Sequence, residues 1–377
     1  MIIKKFDLYE VIVPAKPDMV ASKTINKPLH KLPVGVKAGW SVQFDTLPKL
    51  VIRMELSNGV IGWGECYRDH DWRMIHHIVE ALLGVDITTL SLQQLPINYC
   101  REYDGFECAI YDAFAKAHGL RVIDLLGGPV RTKVRVGAWS SHREKEEIPD
   151  LAKRFSDMGF DCIKFKTDLD DDVVAWCESI KVVDHKMSVL LDPNERWQTT
   201  GHTSKRLHAL AEVGNVLGLE DPIPRWKLHD FALLRSLGLV PIILHISLPY
   251  IIHGQRITDA ISALQLNAID GFNFNCGIAD FQRLDHIADA AGLTCWHGSE
   301  IDLGILEAMY LHSSAAAPSC TWPGDIFGRL IREHDLLSQP LTIEPPFAHL
   351  PEGPGLGIEP DMAAIKHYLR QEKTIER

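Results

Sequence analysis

Three short stretches carry the residues best able to do chemistry. Cys162-Ile163-Lys164-Phe165-Lys166 offers two cations, Leu190-Leu191-Asp192-Pro193-Asn194 a carboxylate, and Leu219-Glu220-Asp221-Pro222 a carboxylate pair. Each closes an apolar, strand-like run, and a helix-like segment follows each one. Brought to one face of a parallel β/α barrel, they make a site for a divalent metal and an anionic substrate. Such a set supports removal of a proton next to a carboxylate: the metal neutralises the developing enolate, and a lysine handles the proton. Lys164 and Lys166 share one strand face because side chains alternate with period two. Asp192 and Glu220 end adjacent strands one βα unit apart, and hard oxygen donors of this kind suit Mg²⁺. Taken singly, each has a plainer reading as a solvated strand-end lysine or a helix-capping carboxylate. Their joint placement is what favours a site.

The elements that must position these residues are readable from the pattern. Ile2 to Val13 and Lys49 to Leu56 read as strands, Ser57-Asn58-Gly59 as a turn, and Ile61 to Cys66 as the returning strand. Ala15 to Gly39, rich in Pro, Lys and small residues, reads as a long loop of the kind that often serves as a lid. Asp104 to His118 reads as a helix with one core-facing side, and Leu125-Leu126-Gly127-Gly128 ends the helical region. From Lys133 the chain alternates strand and helix. The strands are Val134–Trp139, Cys162–Lys166, Ser188–Asp192, Val216–Glu220, Pro241–His245, Ala268–Asn275 and Leu293–His297, with a weak eighth element near Cys320 to Trp322. Glu147–Met158 and Asp280–Ala291 are among the helices between them. This is the spacing of a parallel α/β barrel.

Bulk properties narrow the partners. The chain has 377 residues, 46% of them hydrophobic and 24% charged, enough for a barrel plus a second unit. A formal net charge of −11 argues against nucleic acid or an anionic membrane, though local cations still set the field inside a cleft. There is no apolar run long enough to span a bilayer and no signal-peptide pattern at the start, so a cytoplasmic enzyme is expected. Eight scattered cysteines without a C-x-x-C pair fit reduced thiols.

The motifs taken in order resemble the enolase superfamily, in its mandelate racemase and muconate lactonizing enzyme group. Gly62-Trp63-Gly64-Glu65 is similar to the capping hairpin, Ala109-Ile110-Tyr111-Asp112-Ala113-Phe114 with Leu125-Leu126-Gly127-Gly128 to the capping helix and its end, and Gly353-Pro354-Gly355-Leu356-Gly357 with Asp361 to the C-terminal return. The resemblance implies a modified (β/α) TIM-like barrel over 129–325. It also implies an α+β capping domain over 1–128 and a return over 326–377 that packs on the cap. It further implies a homo-oligomer and a small carboxylate substrate. By the same resemblance Lys166 is the acid/base, Lys164 its electrostatic helper, and Asp192 and Glu220 are the first two metal ligands. Asn194 and Trp197 follow the family's pattern after the first ligand.

The sequence departs from that pattern on the far side of the site. The family's third ligand is an Asp or Glu, and here His245 stands at that position. Either His245 ligates the metal, which shifts preference from Mg²⁺ toward Mn²⁺ or another transition metal, or metal binding is weak or absent. The subgroups place either a lysine or an aspartate supporting a histidine on the opposite wall. This chain offers Asn275 near the first position and His297 on the next strand. His297 is expected as a base oriented by Asn275, against the plain alternative of a histidine packed beside Trp296. Glu300, Asn194, Lys27 and His30 are candidates for binding substrate, with Lys31, Arg68, Asp69 and His70 as further contacts at its far end. The expected activity is dehydration of a sugar acid or related hydroxy acid. Racemisation, epimerisation or cycloisomerisation is the alternative within catalysis, and a binding protein on an enzyme fold is the rival outside it.

Overall fold

In the computed structural model of the chain, residues 1–22, 48–247 and 256–377 are described. The amino-terminal strands are β1 (Ile3–Val11), β2 (Lys49–Leu56) and β3 (Ile61–Cys66), joined in antiparallel register. Gly59, at φ +82°, takes the left-handed position that the tight β2–β3 turn requires. The helix Tyr103–Ala117 lies on β3. Its approach is so close that a Cβ on Gly62 would sit 2.1 Å from Ala109 O, and one on Gly64 2.1 Å from Gly105 O. This helix is buried on more than the one side expected. Phe106, Ala109 and Ile110 pack toward the antiparallel sheet, while Cys108, Tyr111 and Ala115 join the larger core that includes the outward residues of the barrel strands.

Strand β4 (Lys133–Arg135) precedes seven parallel strands: β5 (Ala138–Ser140), β6 (Cys162–Lys166), β7 (Ser188–Asp192), β8 (Val216–Glu220), β9 (Ile242–Ser247), β10 (Gly271–Asn275) and β11 (Thr294–His297). They lie side by side in chain order. The single strand expected over Val134–Trp139 is two: β4 pairs outside the barrel, and the chain breaks at Val136-Gly137 before β5 begins. The weak eighth element contributes two isolated bridges, Cys295 with Cys320 and Val136 with Gly324, which link β11 back toward β5. Helices such as Ile148–Asp157 and Ile278–Ala290 cover the outside.

Alternation along the strands divides inside from outside. Cys162, Leu190, Ile243 and Trp296 form an interior cluster with Leu217 and Trp322 against it. Ile163, Phe165, Leu191, Leu219, Leu244, Phe272 and Phe274 face the helices. The interior cluster is the floor of a cup whose rim is built by the next inward residues. Strands β12 (Ile343–Glu344) and β13 (Phe347–His349) then pair onto β4, and β14 (Leu369–Glu376) pairs antiparallel with β1, so the chain's end returns to its first sheet. All eight cysteines are free and buried. Among the described residues, no helix is long and apolar enough to cross a membrane.

Candidate active site

Above the interior cluster, β6 to β8 raise one charged wall. Cys162 fills the floor, so Lys164 and Lys166 follow it inward and both are buried. Lys164 Nζ lies 2.8 Å from Glu220 Oε2, 2.8 Å from Asp325 Oδ2 and 3.7 Å from Asp192 Oδ2, above the Trp296 ring. Burial disfavours its charge, but Asp325, Glu220 and Asp192 outweigh burial and hold the ammonium well above its ordinary value. Lys166 pairs with Asp192. Burial pulls Lys166 below its ordinary value, and Lys164 adds to that pull against the attraction of Asp192. Asp192 Oδ1 accepts the Asn194 N–H at 3.0 Å. Asn194 sits at φ +44°, and its side-chain amide is buried with no hydrogen-bond partner among the described residues.

A second group gathers around the ends of β8 and β9. Glu220 Oε1 accepts from Asn273 Nδ2 at 2.9 Å and lies 3.1 Å from His245 Nδ1. Asp221 Oδ1 accepts the His245 backbone N–H at 2.9 Å, and its other oxygen pairs with Arg225. Burial, relieved in part by Glu220, pushes the His245 imidazole down to about 4, so it is neutral near pH 7. Ligand atoms of Glu220, Asp221 and His245 lie within 4.8 Å of one another, all three residues are buried, and His245 Nε2 has no hydrogen-bond partner among the described residues. Two carboxylates and an unpartnered neutral imidazole fit a divalent cation. This grouping shares Glu220 and His245 with the expected Asp192, Glu220 and His245 and brings in Asp221, while the Asp192 carboxylate is turned to Lys166 and the Asn194 N–H.

The opposite wall departs further from expectation. On β11 the bulky Trp296 takes the inward place, so His297 points outward into the helix layer. There its ring stacks between Phe281 and Tyr310, with centroids 4.5 and 3.9 Å away, and Nδ1 lies 2.8 Å from Gly298 O. Burial pushes this imidazole down to about 3. His297 is therefore a packed histidine, apart from the lysine wall, and its partner is a carbonyl rather than Asn275. Asn275 falls on the inner face by alternation with Asn273, and neither of its amide atoms has a hydrogen-bond partner among the described residues.

Glu300 is engaged by the first domain's cations. Its Oε2 lies 2.6 Å from Arg101 Nη2 and 3.8 Å from Arg68 Nε, and Arg68 also donates to its backbone carbonyl. Glu300 Oε1 remains buried without a partner. Arg68 is thus consumed at the junction of cap and barrel, and His70 pairs with Glu10. Lys27, His30 and Lys31 lie outside the described residues. Sequence reasoning missed Asn273 and Asp325. Asn273 was signalled by its place two residues before Asn275 on the same strand face. Asp325 lies in a Pro-Gly-Asp run with no strand pattern to announce it.

Comparisons with known proteins agree with this fold. Residues 147–364 match the family described as "Enolase C-terminal domain-like", more than half of the chain. Muconate cycloisomerase 1 of Rhodococcus opacus is 27% identical over 353 residues, covering 86% of this chain and 91% of that protein. The N-succinyl-L-Arg/Lys racemase of Bacillus cereus is 24% identical over 357 residues, covering 88% and 92%. The crystal structure of an N-succinyl Arg/Lys racemase from the same organism superposes with a TM-score of 0.83 over the whole of both chains at 20% identity.

Proposed function

The chain belongs to the mandelate racemase and muconate lactonizing group of the enolase superfamily, and from that premise we propose that it isomerises a small carboxylate substrate by one-base proton transfer at the α carbon. The observation that carries this reading is the asymmetry of the cup. Lys164 and Lys166 line one wall, while the inward residues of β10 are amides and His297 faces away. Lys166, whose charge is disfavoured by burial and by Lys164, is the group to take the α-proton as a neutral amine. The C–H electron pair then moves into the adjacent carboxylate. Lys164, held charged by its three carboxylates, supplies a fixed positive field beside that developing charge. Glu220, Asp221 and His245 would hold a divalent cation, with Asp192 as the further carboxylate of the same wall. When bound, that cation neutralises charge on the substrate carboxylate. The unpartnered amides of Asn194 and Asn275 are the groups proposed to orient the substrate.

This reading replaces dehydration as the expected outcome. The relatives reported above are named as a cycloisomerase and a racemase, and a single proton carrier suits reversible ring closure: a carboxylate oxygen of an unsaturated acid adds to its double bond, the electron pair moves into the conjugated carboxylate, and the Lys166 ammonium protonates the α carbon, while in ring opening the neutral amine takes that proton back. Racemisation needs a second base on the opposite face, and there the described inward residues of β10 are the amides Asn273 and Asn275, with Trp296 beside them. The test is incubation with a panel of unsaturated diacids, N-acylated amino acids and sugar acids in D₂O with Mg²⁺ or Mn²⁺, read by NMR and chiral chromatography. One deuterium delivered to a single face, without loss of water, is the expected result. Loss of water would restore the dehydratase reading, and a racemic product would demand a second base. Absence of exchange with every acid would favour a binding protein on this fold.

A further inference from the structure

We propose that the cluster at the ends of β8 and β9 selects a borderline transition cation, of the Mn²⁺, Co²⁺ or Zn²⁺ class, over Mg²⁺, through direct ligation by His245. This rests on the reading that the site is metal-assisted, and concerns what this chain's own donors prefer. His245 lies on β9 in register with Asn273 of β10, and on the other side its backbone N–H donates to Asp221 Oδ1 at 2.9 Å, so its backbone is fixed from both sides. The residue is 5% exposed, and neither ring nitrogen has a hydrogen-bond partner among the described residues, although Nδ1 lies 3.1 Å from Glu220 Oε1. A histidine without a further ligand would leave both nitrogens buried and unsatisfied, which proteins rarely tolerate.

The surrounding groups behave as an outer shell. Asn273 Nδ2 fixes Glu220 Oε1 at 2.9 Å, and Arg225 with the His245 N–H fixes both oxygens of Asp221. Asp221 itself is held at φ +44°, a left-handed conformation that costs free energy in a non-glycine residue and turns its carboxylate toward the strand end. Mg²⁺ prefers an octahedron of hard oxygens and gains little from imidazole. A neutral imidazole instead favours borderline ions, in the order Mn²⁺ < Co²⁺ and above.

The experiment uses the full chain stripped of metal, titrated calorimetrically with Mg²⁺, Mn²⁺, Co²⁺ and Zn²⁺, with electron spin-echo modulation of the Mn²⁺ complex. Expected are affinities for Co²⁺ and Zn²⁺ roughly tenfold or more above that for Mg²⁺, and a nitrogen-14 modulation from a directly bound imidazole. In His245→Asp the modulation should vanish and the preference narrow toward Mg²⁺. Mg²⁺ binding as tightly as Co²⁺, with no nitrogen modulation in the unaltered protein, overturns the inference while leaving metal-assisted isomerisation standing. Failure of every cation to bind a protein that circular dichroism shows to be folded overturns both.

Discussion

The wall of the cup built by β6, β7 and β8 and the wall built by β9, β10 and β11 are made by the same strand geometry and carry opposite chemistry. The first holds Lys164, Lys166, Asp192 and Glu220 in a dense set of ion pairs. The second presents a neutral imidazole, two amides and an indole, and turns its only other histidine away from the cup. On the proposed reading, the difference makes proton transfer on this scaffold one-sided. Mobile protons and fixed positive charge belong to one wall, and shape and hydrogen bonding to the other.

The comparison breaks most decisively at Lys166. Lys166→Ala should lower turnover by about 10²–10⁴-fold, the range expected when a general base is removed, with cation affinity little changed. A mild loss measured by steady-state kinetics would place the base elsewhere. Asn273→Ala comes next, because it frees Glu220 Oε1. Cation affinity should fall roughly 10- to 100-fold, as outer-shell losses do, and calorimetry reads this directly.

A third effect belongs to stability. His312 accepts the Ile123 N–H on Nδ1 and faces Leu356 O with Nε2, so it is needed as the neutral ring. Burial pushes it down to about 4, against about 6.5 in the unfolded chain. Its contribution is therefore complete above pH 6.5 and is lost as pH falls toward 4, on the order of 3 kcal/mol in all. Urea unfolding from pH 7 to 4 should show that loss, and His312→Gln should flatten the profile. The smallest effect sharpens the contrast between walls. His297→Phe should keep the stack with Phe281 and Tyr310 and change turnover by less than about threefold, far below the loss expected for a proton carrier. A collapse of activity would return His297 to the reaction.

The charged wall was legible because two simple periods coincide there. Alternation places Lys164 and Lys166 together, and the βα repeat brings Asp192 and Glu220 to the same rim; β6, β7 and β8 have the expected bounds. The far wall was less legible because strand ends do not tell which face a residue takes. His297 ends its strand as expected, but the bulk of Trp296 claims the interior and sets the phase. The choice between Asp192 and Asp221 depends on where the Lys166 ammonium goes, which spacing does not encode. The Tyr103–Ala117 helix showed one apolar side in sequence. Its small residues, which admit a second packing surface, carry little hydrophobic signal.

The isolated bridges near Cys320 and Gly324 make the barrel's last joint an irregular seam rather than a continuous strand pairing. Between β6 and β7 five residue pairs hold the strands in continuous register, whereas β11 is tied toward β5 by scattered backbone bonds of the intervening loop, among them Cys295 N–H to Ser319 O at 2.9 Å, Asp325 N–H to His297 O at 3.0 Å and Gly324 N–H to Arg135 O at 2.9 Å. Loop segments open more readily than continuous strands, so amide exchange of Gly324 and Asp325 should outpace that of β6 and β7. Asp325 is also a counter-ion of Lys164. Each time the seam parts, the lysine loses one of its three carboxylates. The electrical state of the charged wall is thereby tied to the mechanical soundness of the stave beside it.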